Sequence, residues 1–178
     1  WRADGTLIKA FEPEEAFVDV AFSPDGQTLA TVGYSSIEGE TVHLWQLDGT
    51  HIDAFSHAAE TSLSHISFGP DSEKLFIAGT DSTLYVYERA GLQIDKFSIP
   101  NLPDFRSPDT DRVSISPDGK YIAVAALDST VRLWTTQGKS IQVFTHTEPV
   151  SDVRFSPDSK NLLTLSQFGG ARLWPIES

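Results

Sequence analysis

The stretch "AFSPDGQTLA", residues 21–30, decides the fold, because four variants of it recur along the chain. SPDG occupies residues 23–26 and 116–119, GPDS residues 69–72, and SPDS residues 156–159. Two residues before each proline stands Phe22, Phe68, Ile115 or Phe155, and five after it Leu29, Leu75, Ile122 or Leu162. Proline presets φ for the first turn position, and the residues after it complete a tight reversal between two apolar runs. The same reversal at near-even spacing marks an internal repeat.

A second pattern runs in phase with the turns. Trp1, Trp45, Tyr87 and Trp134 are each followed four residues later by a glycine (Gly5, Gly49, Gly91, Gly138). Seven residues later comes an isoleucine (Ile8, Ile52, Ile94, Ile141), and ten later a phenylalanine (Phe11, Phe55, Phe97, Phe144). Trp174 falls where the next copy opens, and successive aromatics are 44, 42, 47 and 40 residues apart. From Pro70, Pro117 and Pro157 to the next aromatic is 17 residues, but from Pro24 it is 21. The first unit therefore carries a four-residue insertion, within GYSSIEGET (33–41).

Each unit reads as strand throughout. VDVAF, SHISF and SDVRF alternate apolar and polar residues with period two, as do TVHLW, TLYVY and TVRLW. β-branched and aromatic residues are enriched, and Pro, Gly, Asp or Ser bounds each segment. The expected unit has four antiparallel strands: one ending before the Pro-Asp turn, one holding Leu29 or its equivalents, one ending on Trp or Tyr, and one running from Gly to Phe. Residues 6–11 read as a fourth strand, three full units follow, and three strands remain, giving sixteen short strands in all. The expected blades span about 12–55, 56–97, 98–144 and 145–178, the last completed by residues 1–11, within one domain of 1–178.

Periods of 40–47 residues, the Pro-Asp-Gly turn and the closing TVRLW resemble the WD40 repeat, the blade of a β-propeller. The resemblance spans essentially the whole chain and implies an all-β fold of four WD40-like blades. It also implies structural roles for Trp45, Tyr87, Trp134 and Trp174, and for Asp81, Asp128 and His146 at positions of the family's blade-stiffening hydrogen-bonded set. No set is complete in the sequence: Gly79 and Ala126 stand where Asp81 and Asp128 need a Ser or Thr, and Phe168 replaces the Asp in the blade of His146 and Ser166. No frame aromatic is followed by Asp. Blades rich in FSPDG and DGT look like those of large bacterial multidomain proteins, where they sit beside signalling domains as a sensing end.

Composition narrows the function. With 25 acidic and 13 basic residues the net charge is −12, and no Lys/Arg cluster is present to neutralise phosphates. This argues against nucleic acid as a partner and against an anionic membrane surface. The absence of cysteine excludes disulfides and thiol chemistry and fits a reducing, cytoplasmic compartment. No apolar run approaches the length of a membrane span. The chain opens on Trp1 rather than Met, so a piece of a longer protein, or a processed or engineered one, is expected.

Motifs for catalysis or cofactors are missing: no GxSxG, GxxxxGK[ST], HExxH or GxGxxG occurs. DTDRVSISPDG (109–119) fails as a calcium loop because Val113 occupies a ligand position. His43 with His51, and His57 with His65, are each eight apart across a turn and read as separate surface histidines. No metal and no cofactor is expected.

Strand alternation places the second-to-third loops and the blade-to-blade connections on one rim. Both long segments, 33–41 and the connection SIPNLPDFRSPDTDR (98–112), decorate that rim. Loops on a rigid scaffold are where binding resides, so Tyr34, Ile37, Leu102, Phe105 and Arg106 are the candidate partner-binding residues. The competing reading has the long loop packed on its own ring, with Phe105 over a seam. Two function classes follow: a non-enzymatic protein- or peptide-binding scaffold or sensor, or part of a propeller hydrolase or lyase, which would need acidic or histidine side chains converging at the central channel and for which Asp19, His65 and Asp152 lie near the first strands. Four blades are also fewer than the family's usual ring. The expectation is therefore either further blades in a parent chain or a head-to-tail, eight-blade pair with residues 6–11 of one copy beside 171–174 of the other.

Overall fold

The computed structural model describes residues 6–7, 10, 16–35, 39–57, 61–81, 83–91, 93–98, 112–126, 128–166, 168 and 170–176. Among these, fifteen strands and no helix are found. Blade 1 comprises β1 (Ala16–Phe22), β2 (Thr28–Ser35), β3 (Gly39–Gln46) and β4 (His51–Ser56). Blade 2 comprises β5 (Leu63–Phe68), β6 (Lys74–Gly79), β7 (Thr83–Glu88) and β8 (Gln93–Ser98). Blade 3 comprises β9 (Arg112–Ile115), β10 (Tyr121–Ala125), β11 (Thr130–Thr135) and β12 (Ser140–Thr145). Blade 4 comprises β13 (Val150–Phe155), β14 (Asn161–Ser166) and β15 (Gly170–Pro175). Every sheet is an antiparallel meander of sequence neighbours. The sixteenth strand expected at residues 6–11 falls on a segment of which only residues 6, 7 and 10 are described, none of them in a strand.

The Pro-Asp turns explain their own variation. Their fourth residue is left-handed in every copy: Gly26 at φ 67°, Ser72 at 61°, Gly119 at 72° and Ser159 at 60°. Glycine takes that conformation freely, whereas serine meets a Cβ penalty there. Each serine gains a bond across a blade junction in exchange. Ser72 Oγ accepts the Asp25 N–H at 3.2 Å, and Ser159 Oγ accepts the Asp118 N–H at 3.0 Å. The turn is locked internally where it begins with Ser: the Ser23, Ser116 and Ser156 hydroxyls donate to Asp25, Asp118 and Asp158 at 2.5, 2.7 and 2.5 Å. These bonds, opposed in part by burial at Asp118, hold the three carboxyls below the ordinary aspartate range.

Three apolar cores join the four blades. Ala30, Val32, Val42 and Leu44 of blade 1 pack against Leu63, Ile66, Phe68, Leu75, Ile77 and the Tyr85 and Tyr87 rings of blade 2. Phe76, Ala78, Leu84 and Val86 on the other side of blade 2 meet Val113, Ile122, Val124 and Trp134 of blade 3. Ala123, Ala125, Val131, Leu133 and Phe144 meet Val150, Val153 and Leu162 of blade 4. β6 and β7 of blade 2 and β10 and β11 of blade 3 thus send alternate side chains to two different neighbours, as blade stacking requires. Among the described residues no fourth core joins blade 4 to blade 1.

Candidate functional site

Two places could carry function: the channel lined by the first strands, and the rim bearing the second-to-third hairpins. The channel is set up by a recurring irregularity. β1, β5 and β13 each carry a register shift, just before Asp19, His65 and Asp152. Such a bulge re-aims the side chain that follows it. All three residues named as channel candidates therefore occupy one structural position.

They do not converge as a trio. Asp19 pairs with His65 Nδ1, and its Oδ2 also accepts the Ile66 N–H at 3.0 Å. Burial opposes ionisation of Asp19, but the bond and charge of His65 and the backbone N–H groups outweigh it and hold its carboxyl below the ordinary range. The other His65 nitrogen, Nε2, lies 2.9 Å from the Val113 carbonyl oxygen. Asp19, His65 and Val113 thus tie the first strands of blades 1, 2 and 3 together. Both imidazole nitrogens are engaged within the protein, one by the Asp19 carboxylate and one at the Val113 carbonyl, so neither points at an open site where a nucleophile would sit. Asp152 stands apart, accepting from the Val153 N–H at 2.8 Å and pairing with Arg154 Nε at 3.3 Å. The polar channel cavity, about 460 Å³, is lined by Asp19, His65, Ser67, Ser114 and Arg154 among others.

The rim is built differently. The insertion in blade 1 lengthens a hairpin: β2 and β3 have eight residues each, against five or six in the corresponding strands of the other blades. Tyr34, opposite Glu40 near its tip, is 54% exposed. Burial pushes the Glu40 carboxyl up, partly offset by Ser62 and the Leu63 N–H at the start of blade 2, so the hairpin leans on the next blade near its tip. Ile37, Leu102, Phe105 and Arg106 lie outside the described residues. Phe168, in the second-to-third loop of blade 4, is 82% exposed on the same rim. It was legible only as a missing aspartate: a phenylalanine cannot accept the turn's N–H groups, so it stays in solvent.

Behind the rim, His146, Trp174, Trp45, Asp81 and Asp128 are hydrogen-bonded. His146 Nδ1 lies 3.0 Å from Ser166 Oγ, and its ring meets Trp174 edge-on at 5.4 Å. Trp174 Nε1 donates to Thr164 at 2.9 Å, and Trp45 Nε1 to Thr31 at 3.0 Å. Asp81 accepts from the Thr83 N–H at 3.0 Å and from Tyr85 OH at 2.8 Å. Burial, with Asp81 beside it, pushes the Tyr85 phenol up to about 12. Asp128 accepts from the Thr130 N–H and hydroxyl at 3.1 and 2.5 Å and pairs with Arg132 at 2.7 Å. Trp134 is buried in the core between blades 2 and 3.

The histidine expectations need correction. His57 is buried, with Nδ1 2.6 Å from Tyr87 OH, because it leads into its blade at the position His146 holds two blades later. Burial depresses its imidazole, opposed by the charge of Asp81. His43 and His51 are not separate either: β3 and β4 pair across their hairpin and bring Nδ1 and Nε2 to 3.1 Å, against Trp45. No cluster of three or more metal-ligating side chains occurs among the described residues. No helix there is long and apolar enough to cross a membrane.

No curated protein matches the chain significantly. The family model described as WD domain, G-beta repeat matches residues 5–46, 107–135 and 138–174, more than half of the sequence. The second blade is not matched, and it is the one with Gly69 for Ser and Tyr87 for Trp; its four strands nevertheless form the same meander. With the repeated turn, the blade sheets and the family match in agreement, the chain belongs to the WD40-repeat family.

Proposed function

We propose that this chain is a non-enzymatic scaffold or sensor module that binds a protein or peptide through the rim bearing 33–41 and 98–112. WD40 domains in general mediate protein interactions as scaffolds, and the finer reading rests on one observation. The lengthened hairpin and the blade 4 loop put two large aromatic side chains, Tyr34 and Phe168, into solvent on the same rim. Exposed aromatics on a rigid frame are the usual anchors of a protein contact. Against channel chemistry stands His65, whose two nitrogens are both engaged. The proposal includes a cytoplasmic setting, as the sensing end of a larger signalling protein, with no nucleic acid, membrane, metal or cofactor.

The test uses a peptide selected from a displayed library on the immobilised chain. Replacing Phe105 and Arg106 together by Ala should weaken its binding by about 1–3 kcal/mol while leaving the fold intact. Unchanged binding places the site elsewhere. Unfolding would support the competing reading, in which the loop packs on its own blades.

A further inference from the structure

Among the described residues, four blades have eight faces, and the three cores use six. The two left over are not alike. In each core the earlier blade offers its forward face, made of the same four repeat positions. These are Ala30, Val32, Val42 and Leu44 in blade 1, Phe76, Ala78, Leu84 and Val86 in blade 2, and Ala123, Ala125, Val131 and Leu133 in blade 3. All twelve are at most 4% exposed. The equivalents in blade 4 are Leu163, Leu165, Ala171 and Leu173, and the three leucines are 44, 46 and 65% exposed. The following blade offers its rear face. Ile66 and Phe68 of blade 2 are 1 and 5% exposed there, whereas their blade 1 equivalents, Val20 and Phe22, are 54 and 68% exposed. Around Val20 lies a mainly apolar hollow of about 400 Å³ lined by Phe17, Val18, Asp19, Leu29 and Thr31.

One bare face is therefore the forward half, and the other the rear half, of a junction this chain builds three times within itself. We infer that two copies associate head to tail, the forward face of blade 4 in each stacking on the rear face of blade 1 in the other. The contact is heterologous, and it closes because two identical junctions related by a two-fold axis use every bare face. The resulting ring has eight blades, within the range propellers adopt. Four strands at about 4.8 Å and five residues at about 3.3 Å give a face of roughly 300 Å². One junction buries about 600 Å² in total, no more than a crystal contact, but two bury about 1,200 Å², the size at which stable interfaces begin. The pair should therefore form as a closed ring or not at all. This inference goes beyond the rim-binding reading and shares no residue with it, so either can fail alone.

Sedimentation velocity of the 178-residue chain across a concentration series is the test. A single species of twice the 19.5 kDa chain mass is expected. V20D/F22D on the rear face, or L163D/L173D on the forward face, should each give a monomer with unchanged circular dichroism. Mixing the two variants should restore no stable pair, because only one junction can then form. Should either variant misfold, cysteines placed at Phe22 and Leu173 of this cysteine-free chain give a second readout. A short bismaleimide should then link differently tagged copies into a two-copy product. A wild-type monomer at about 100 µM, a ladder of species growing with concentration, or no cross-linked pair overturns the inference.

Discussion

Replacing Asp19 by Ala should loosen the seam between the first two blades. In the native protein its Oδ2 serves two donors, the Ile66 N–H at 3.0 Å and His65 Nδ1. Without it both are left short of an acceptor, and each unsatisfied buried donor costs about 1–3 kcal/mol. The His65 and Asp19 side chains are 16 and 25% exposed, so water makes good part of the loss. A net cost of about 2–3 kcal/mol is expected. With a urea m-value of about 2 kcal/mol/M, the unfolding midpoint should fall by about 1–1.5 M. Asp19→Asn keeps a carbonyl oxygen for the Ile66 N–H and should lose about half as much. The depressed Asp19 pKa fixes the sign of the pH dependence. Its stabilisation is complete above the unfolded aspartate value, about 3.9, and is lost as pH falls through the lower folded value. The Ala variant should lack that acid limb. Urea melts at one fixed protein concentration, at pH 7 and pH 3, supply the assay. A midpoint shift under about 0.2 M at pH 7, or an unchanged acid limb, would refute the reasoning.

Other expectations follow from the turns, the buried histidines and the tryptophans. Ser72→Ala keeps the left-handed strain and loses the acceptor for the Asp25 N–H, so a thermal melt should show a loss of about 1 kcal/mol. Ser72→Gly relieves the strain and should be nearly neutral; equal damage from both would contradict the role given to this serine. His57 and His146 are held neutral by burial, with depressed imidazoles, and the charge of Arg172 adds to the effect at His146. Their contribution is therefore complete above about pH 6.5 and declines as pH falls toward the folded values. Urea melts at pH 7.5 and 5.5 should show less stability at 5.5, and H57N/H146N should narrow the difference; stability that is flat or rises on acidification would contradict it. Trp174→Phe loses the bond to Thr164 and should cost about 1 kcal/mol in the same melts. EDTA should leave the melting temperature unchanged, whereas a drop of several degrees would reveal a structural metal.

How far the sequence carries can be seen residue by residue. The blades were legible because the Pro-Asp turn and the Trp-Gly-Ile-Phe spacing are local chemistry repeated in phase, and each copy corroborates the others. His146 with Ser166 was legible through the resemblance to WD40 blades, whose hydrogen-bonded set has a His and a Ser at these positions. His57 was also within reach: it follows Phe55 by two residues, as His146 follows Phe144, but its partner is a tyrosine hydroxyl rather than a serine. The bulges that aim Asp19 and His65 toward each other were not legible, because a register shift depends on how two strands pair and leaves no composition signal.

The most direct test sets the rim against the channel in a single binding titration. A peptide selected on the wild-type chain would be measured against Tyr34→Ala/Phe168→Ala and, separately, against His65→Gln. The rim reading expects the aromatic pair to weaken binding by about tenfold or more, the scale of a hot spot. It also expects His65→Gln, provided the variant stays folded, to leave affinity within about twofold of wild type. Binding that survives loss of both aromatics but collapses with His65 would move the site into the channel and contradict the account.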